Sequence, residues 1–182
     1  MSRLRCVKLT LVGMIATAAF GLQAAESLVE VRLIADLDDE RGYCLDIAGG
    51  QGEQAPVERG LQAHTCYDYT GEILVDQAFV EGDFAQGQFN IQYFDVCMSA
   101  STLDEGASLM LDACDSSDSQ GFDFQQNGQI VLNANPSLCV TASATEKKEG
   151  RGGSPAHVMR PVTLEVCADD NADYQKWTTF SF

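Results

Sequence analysis

Apolar and polar residues alternate along short stretches of this chain, and no sustained helical period follows the first 25 residues. Leu109-Met110-Leu111-Asp112 and Val162-Thr163-Leu164-Glu165-Val166 repeat every second residue, as half-buried strands do. Asn127-Gly128 precedes the apolar run Gln129-Ile130-Val131-Leu132, and Asn133 to Pro136 follow it, so that run is bounded by turn chemistry on both sides. Many short strands separated by Gly, Asn, Asp and Pro predict an all-β domain.

A second, longer period underlies the strands. An apolar stretch, a Cys, a small or apolar run, a second Cys and then Gln-x-aromatic occur three times. The copies are Gly42-Tyr43-Cys44-Leu45-Asp46-Ile47 with Cys66 and Gln77-Ala78-Phe79; Asp95-Val96-Cys97-Met98-Ser99-Ala100 with Cys114 and Gln120-Gly121-Phe122; and Ser137-Leu138-Cys139-Val140-Thr141-Ala142 with Cys167 and Gln175-Lys176-Trp177. The unit is about 50 residues long, with boundaries near 28–82, 83–126 and 127–182. Three such units favour a closed architecture in which each supplies part of a barrel and no sheet edge is left exposed.

The N-terminus predicts export. Arg3, Arg5 and Lys8 precede an uncharged apolar run from Leu9 to Leu22, and Ala24 and Ala25 close it, which is the pattern of a secretory signal peptide over residues 1–25. The run is shorter than the ~20 residues of a membrane helix. Secretion or a periplasmic location is therefore expected, in an oxidising compartment. Cys6 leaves with the leader, and six cysteines remain. Six permit 15 pairings; the repeat selects one bridge per unit, Cys44 with Cys66, Cys97 with Cys114 and Cys139 with Cys167.

Charge narrows the partners. The full chain carries 11 Lys and Arg against 27 Asp and Glu; loss of the leader's three cations leaves 8 − 27 = −19. Phosphate backbones and anionic headgroups need a basic patch, so neither nucleic acid nor membrane insertion is expected. A basic, Gly-rich stretch from Ser143 to Pro161, with Lys147, Lys148 and Arg151, interrupts the third unit. It reads as a tolerated, mobile surface loop, with docking of an acidic partner as the alternative.

The Cys-Leu-Asp opening of the first unit, the threefold Cys pairs and the terminal Gln-x-Trp resemble the ricin B-type lectin family, over nearly the whole chain from Leu28 to Phe182. The resemblance implies a β-trefoil and a carbohydrate-binding function. Phe79 and Phe122 replace Trp in two copies; all three aromatics are expected in the core. In such lectins an Asp lies two residues after the first Cys, an aromatic two before the second, and an Asn just before the Gln. The first unit keeps most of this, with Asp46, His64, Gln62 four residues before Cys66, and Asp76-Gln77. These five imply one galactose-type pocket, with Asp46 as acceptor and His64 as platform. Sugar stacking on His64 would make binding change near pH 6.5. The second unit has Ser99 and Asp112 at the acceptor and platform positions, and the third Thr141 and Glu165, so both of those pockets read as lost.

Other chemistry is sparse. His64 and His157 are the two histidines, and neither a Gly-x-Ser-x-Gly nor a His-Glu-x-x-His motif occurs. No enzymatic activity, no cofactor and no metal are therefore expected. Asp36-Leu37-Asp38-Asp39-Glu40 fails as a calcium loop, since Arg41 stands at the sixth position and Ile47 at the twelfth. Asp169 to Asp173 reads as a solvated turn. The main alternative to a lectin is a degenerate trefoil that binds a protein partner in a larger exported, toxin-like complex. A secreted glycan-acting enzyme is the third.

Overall fold

Alternation builds the strands as the sequence predicts. In β7 (Leu109–Asp112) Leu109 and Leu111 are buried while Asp112 is exposed. The computed structural model describes residues 26–50, 52–67 and 73–181, and the expected leader lies outside them. The first repeat contributes β1 (Leu28–Leu33), β2 (Tyr43–Ile47), β3 (Leu61–Thr65) and β4 (Phe79–Val80). The second contributes β5 (Asn90–Ile91), β6 (Val96–Ala100), β7 and β8 (Phe122–Phe124). The third contributes β9 (Ile130–Leu132), β10 (Asn135–Ala142), β11 (Lys148–Glu149), β12 (Val158–Val166) and β13 (Trp177–Phe180).

The same antiparallel hairpin recurs in every repeat: β2 with β3, β6 with β7, and β10 with β12. The first Cys lies opposite the residue two before the second Cys in each: Cys44 faces His64, Cys97 faces Asp112 and Cys139 faces Glu165. The residue two beyond the first Cys likewise pairs with the one four before the second, Asp46 with Gln62, Ser99 with Met110 and Thr141 with Thr163. The outer strands link the repeats to one another. β1 pairs with β4 and with β13, and β8 pairs with β9. The architecture is a β-trefoil, in which the β1–β13 pairing joins the first repeat to the third.

Three disulfides join Cys44 to Cys66, Cys97 to Cys114 and Cys139 to Cys167, one per repeat. The Gln-x-aromatic rings fill the centre, with Phe79, Phe122 and Trp177 at 1% exposure or less. Phe89 stands between the first two, edge-on to Phe79 at 6.2 Å and to Phe122 at 6.1 Å, a favourable quadrupole arrangement. Trp177 needs a partner for its indole N–H once buried, and it donates to the Val140 carbonyl at 2.9 Å. Among the described residues no helix is long and apolar enough to cross a membrane.

The stretch from Ser143 to Pro161 corrects one expectation, because much of it is built into the sheet rather than left as a loop. Lys148 and Glu149 pair with Met159 and Val158, and the start of β12 continues onto β3, where Met159 faces His64 and Pro161 faces Gln62. Long-range polar contacts anchor it. Arg41 donates to the Ala156 carbonyl at 2.7 Å, and Arg160 donates to Asp38 at 2.7 Å. Asp38 also accepts from Lys147 and from the Tyr43 hydroxyl. These donors, Lys147 first and then Arg160, hold the Asp38 carboxyl well below the usual carboxylate range. The acidic cluster at Asp36 to Glu40 thus serves as an anchor for the inserted hairpin.

Candidate functional site

Strand register brings the predicted first-repeat residues together. Asp46 at the end of β2 faces Gln62 on β3, and its carboxylate accepts from Gln62 Nε2 at 3.1 Å and from Gln77 Nε2 at 2.8 Å. Asp76 arrives beside them, its backbone carbonyl accepting from Ile47 N–H at 3.2 Å and its Oδ2 accepting from Gly52 N–H at 3.0 Å. The turn after β2 lies across both carboxyls. A β-carbon at Gly50 would sit 2.5 Å from Asp76 Oδ2 and 3.3 Å from Asp46 Oδ1, so this close approach requires glycine. Asp46, Asp76 and Gln77 are consequently at 1%, 2% and 0% exposure, and Gln62 is the member of the group that reaches the surface.

This packing alters the electrostatics. Burial first, and the neighbouring Asp76 carboxyl second, push the Asp46 pKa well above the usual carboxylate range against the two amide hydrogen bonds. The raised pKa favours the protonated form in the native state. That contribution to stability is full below the ordinary carboxylate range and is lost as pH rises through the raised value. Asp46→Asn should escape the loss, because Gln77 Oε1 is buried without a hydrogen-bond partner and can turn to accept the new amide N–H. The expected outcome is a melting temperature that exceeds wild type by a margin growing from pH 3.5 to pH 7. An equal margin at both pH values would show that Asp46 does not titrate as inferred.

His64 is not presented to solvent as a platform. It is at 7% exposure, and its ring stacks on Tyr67 at 5.1 Å and on His157 of the inserted hairpin at 5.0 Å. Its Nδ1 lies 2.7 Å from the Thr65 carbonyl, which can only accept, so the proton sits on Nδ1. Burial pushes its pKa down to about 4, with His157 and Arg41 adding to the fall and the Thr65 bond opposing it. The expectation of a charge change near pH 6.5 is therefore corrected: burial moves the charge change of His64 below that pH and favours the neutral ring.

The glutamines of the repeat have diverged in role. Gln120 spans its disulfide loop, donating to the Ala113 carbonyl and accepting from Asp115 N–H, each at 2.9 Å. Gln175 does the same with Val166 and Ala168 and also donates to Thr141 Oγ1. In the first repeat His64 occupies the Thr65 carbonyl at the corresponding position, and Gln77 holds Asp46 instead.

The third repeat carries a hollow that the sequence reading discounts. About 230 Å³ in volume, it is lined by Thr141, Thr163, Glu165, Asn171 and Tyr174 among others. Carboxylate and aromatic have exchanged places: Glu165 stands where the platform would be, and Tyr174 precedes Gln175 as Asp76 precedes Gln77. Tyr174 is the residue the motif comparison missed, because the pattern places an amide there. In the second repeat Ser99 Oγ bonds Ser119 Oγ at 3.2 Å, and Asp112 is exposed at the end of β7. Among the described residues one cluster has metal-ligand spacing, Glu30 with Cys44 and Cys66, and its two sulfurs are bonded to each other.

The ricin-type beta-trefoil lectin domain pattern matches residues 34–177. No curated protein sequence matches the chain. Among solved structures, an agglutinin from Abrus precatorius is 13% identical with a TM-score of 0.55; the alignment covers 87% of this chain and 48% of that one. This chain thus spans about half the agglutinin chain. The C-terminal domain of an earthworm lectin, a mutant in complex with 6'-sialyllactose, is 17% identical with a TM-score of 0.57, covering 86% of this chain and 99% of that one. The C-half of an earthworm R-type lectin in complex with GalNAc is 13% identical with a TM-score of 0.58 over the same shares. At these identities the neighbours establish a shared fold, and the motif match over most of the length establishes kinship: the chain belongs to the ricin-type beta-trefoil lectin domain family.

Proposed function

We propose that this chain is an exported carbohydrate-binding domain that engages sugar through its first repeat, with Gln62 as the group that meets the ligand. The observation that carries the reading is the hydrogen-bonded chain Gln77–Asp46–Gln62, which runs from the core to the surface. Asp46 accepts from Gln62 Nε2 and so turns Gln62 Oε1 away from itself, as an acceptor for a sugar hydroxyl. Asp46 and Gln77 act as positioning groups, Asp76 holds the covering turn, and His64 buttresses β3 through its ring stack. The family membership and the saccharides bound in the two earthworm lectin structures support the same reading. Three disulfides in one small domain support export to an oxidising compartment, as the leader predicts.

A second location is favoured by one observation, the open hollow of the third repeat with its carboxylate, hydroxyls and Tyr174 ring. A single shallow site binds at about millimolar strength, roughly −4 kcal/mol, so the measurement needs multivalent display. On a glycan array, Gln62→Ala should weaken binding about tenfold or more while leaving the melting temperature within about 2 °C, since the side chain is partly exposed. Binding that survives Gln62→Ala but is lost in Glu165→Ala moves the site to the third repeat. An array blank for the wild-type chain would sink the carbohydrate-binding reading itself.

A further inference from the structure

Beside Gln62 the inserted hairpin and the first repeat enclose a depression of about 360 Å³, within the size range of small-ligand sites. Leu61, Met159 and Pro161 give it an apolar floor, and Arg59 and Lys148 line it with charge. Cations are few in this acidic protein. Of the eight Lys and Arg beyond the leader, Arg32, Arg41, Lys147 and Arg160 are held in ion pairs with Asp36, Asp39 and Asp38. Arg59, Lys148, Arg151 and Lys176 have no such partner among the described residues, and the sheet brings the first two of these, from different repeats, to one place.

Their placement is built in. Lys148 is fixed opposite Met159 by the β11–β12 pairing, and β12 is itself paired to β3 at His64, Ala63 and Gln62. Arg59 is laid against the turn that covers Asp46. A β-carbon at Gly49 would lie 2.5 Å from Arg59 Nη1, which shows how closely the guanidinium lies on this turn, and the φ of +80° at Gly49 favours glycine there. The inserted hairpin thus completes a site whose other half belongs to the first repeat.

We propose that this depression selects acidic saccharides, with Arg59 and Lys148 binding a carboxylate or sulfate group on the sugar; the proposal rests on the carbohydrate-binding reading above and names its ligand class. Each element has a partner in such a ligand. The apolar floor suits the C–H face of a sugar ring, Gln62 Oε1 accepts a hydroxyl, and the two cations make charge-assisted bonds to the anionic group. The carboxyl behind Gln62 offers little opposition, because its burial beside Asp76 favours the neutral form. Polyanions are a poor fit, since a nucleic acid or an anionic membrane would meet the acidic remainder of the surface. A single anionic group meets only its surroundings within the Debye length of about 8 Å at physiological salt.

The test is titration of the full mature chain against matched glycans: a neutral oligosaccharide, its sialylated or uronic acid counterpart, and its sulfated counterpart. The expected result is at least about tenfold tighter binding of an acidic member, shrinking as salt is raised from 50 to 500 mM. The Arg59→Gln/Lys148→Gln double variant should bring the acidic-to-neutral ratio to about one. Both positions are exposed, so an unchanged melting temperature verifies the fold. Preference for the carboxylated or the sulfated member identifies which group is bound, and either supports the proposal. Equal binding of neutral and acidic members, or a preference retained by the double variant, overturns it while leaving the carbohydrate-binding reading intact. Binding of none of the glycans overturns both.

Discussion

Trp177→Ala is expected to destabilise the domain by about 3–5 kcal/mol, the cost of removing a fully buried large aromatic. The side chain is at 1% exposure in the shared core, and the truncation would also remove the hydrogen bond from its indole N–H to the Val140 carbonyl. A domain of this size has about 5–15 kcal/mol in total and loses about 2–4 °C of melting temperature per kcal/mol. A fall of about 10 °C or more in a thermal melt follows. Trp177→Phe should cost much less, because Phe79 and Phe122 already fill the corresponding positions of the other two repeats. A melt in which the alanine variant stays within about 2 °C of wild type would mean that the three aromatics do not form one packed centre.

Reduction of the three disulfides should have a still larger combined effect. Closing loops with separations of 17, 22 and 28 residues stabilises the fold by roughly 3–4 kcal/mol each in the chain-entropy view. The bridges lie in different repeats, so their contributions should come close to adding. The total, about 10 kcal/mol, is comparable to the whole stability of such a domain. Full reduction is expected to abolish the cooperative thermal transition at neutral pH. Among paired Cys→Ser variants, loss of Cys139–Cys167, which closes the longest loop, should cost most and loss of Cys97–Cys114 least. A reduced chain that still unfolds cooperatively within about 5 °C of the oxidised one would show that hydrophobic packing alone sustains the trefoil.

The repeat and the cysteine pairing are both legible in the sequence, and for the same reason. A threefold fold imposes the same local demands three times, so a Cys, a buried strand and a core aromatic recur at similar spacing even where Trp has become Phe. The β2–β3 register places Asp46 opposite Gln62.

Exposure was not legible in the same way. Whether Asp46 meets solvent depends on the turn at Gly49 and Gly50, and nothing in the Cys-Leu-Asp motif says that this turn lies across the carboxyl. His64 was expected to be a platform because its position in the motif is occupied by aromatics. Its burial comes from Tyr67 on one side and from His157, 93 residues later in the chain, on the other.

The sequence by itself determined the all-β class, the three repeats, the three bridges and the central aromatics, since each follows from local periodicity and from covalent or core constraints repeated along the chain. Only the tertiary structure decided which polar groups are presented to a ligand. The inserted hairpin of the third repeat packs on the first, and it buries His64 while carrying Lys148 to Arg59. Such a pairing between distant segments leaves no periodic trace in either one, because it is set by how the repeats close on one another.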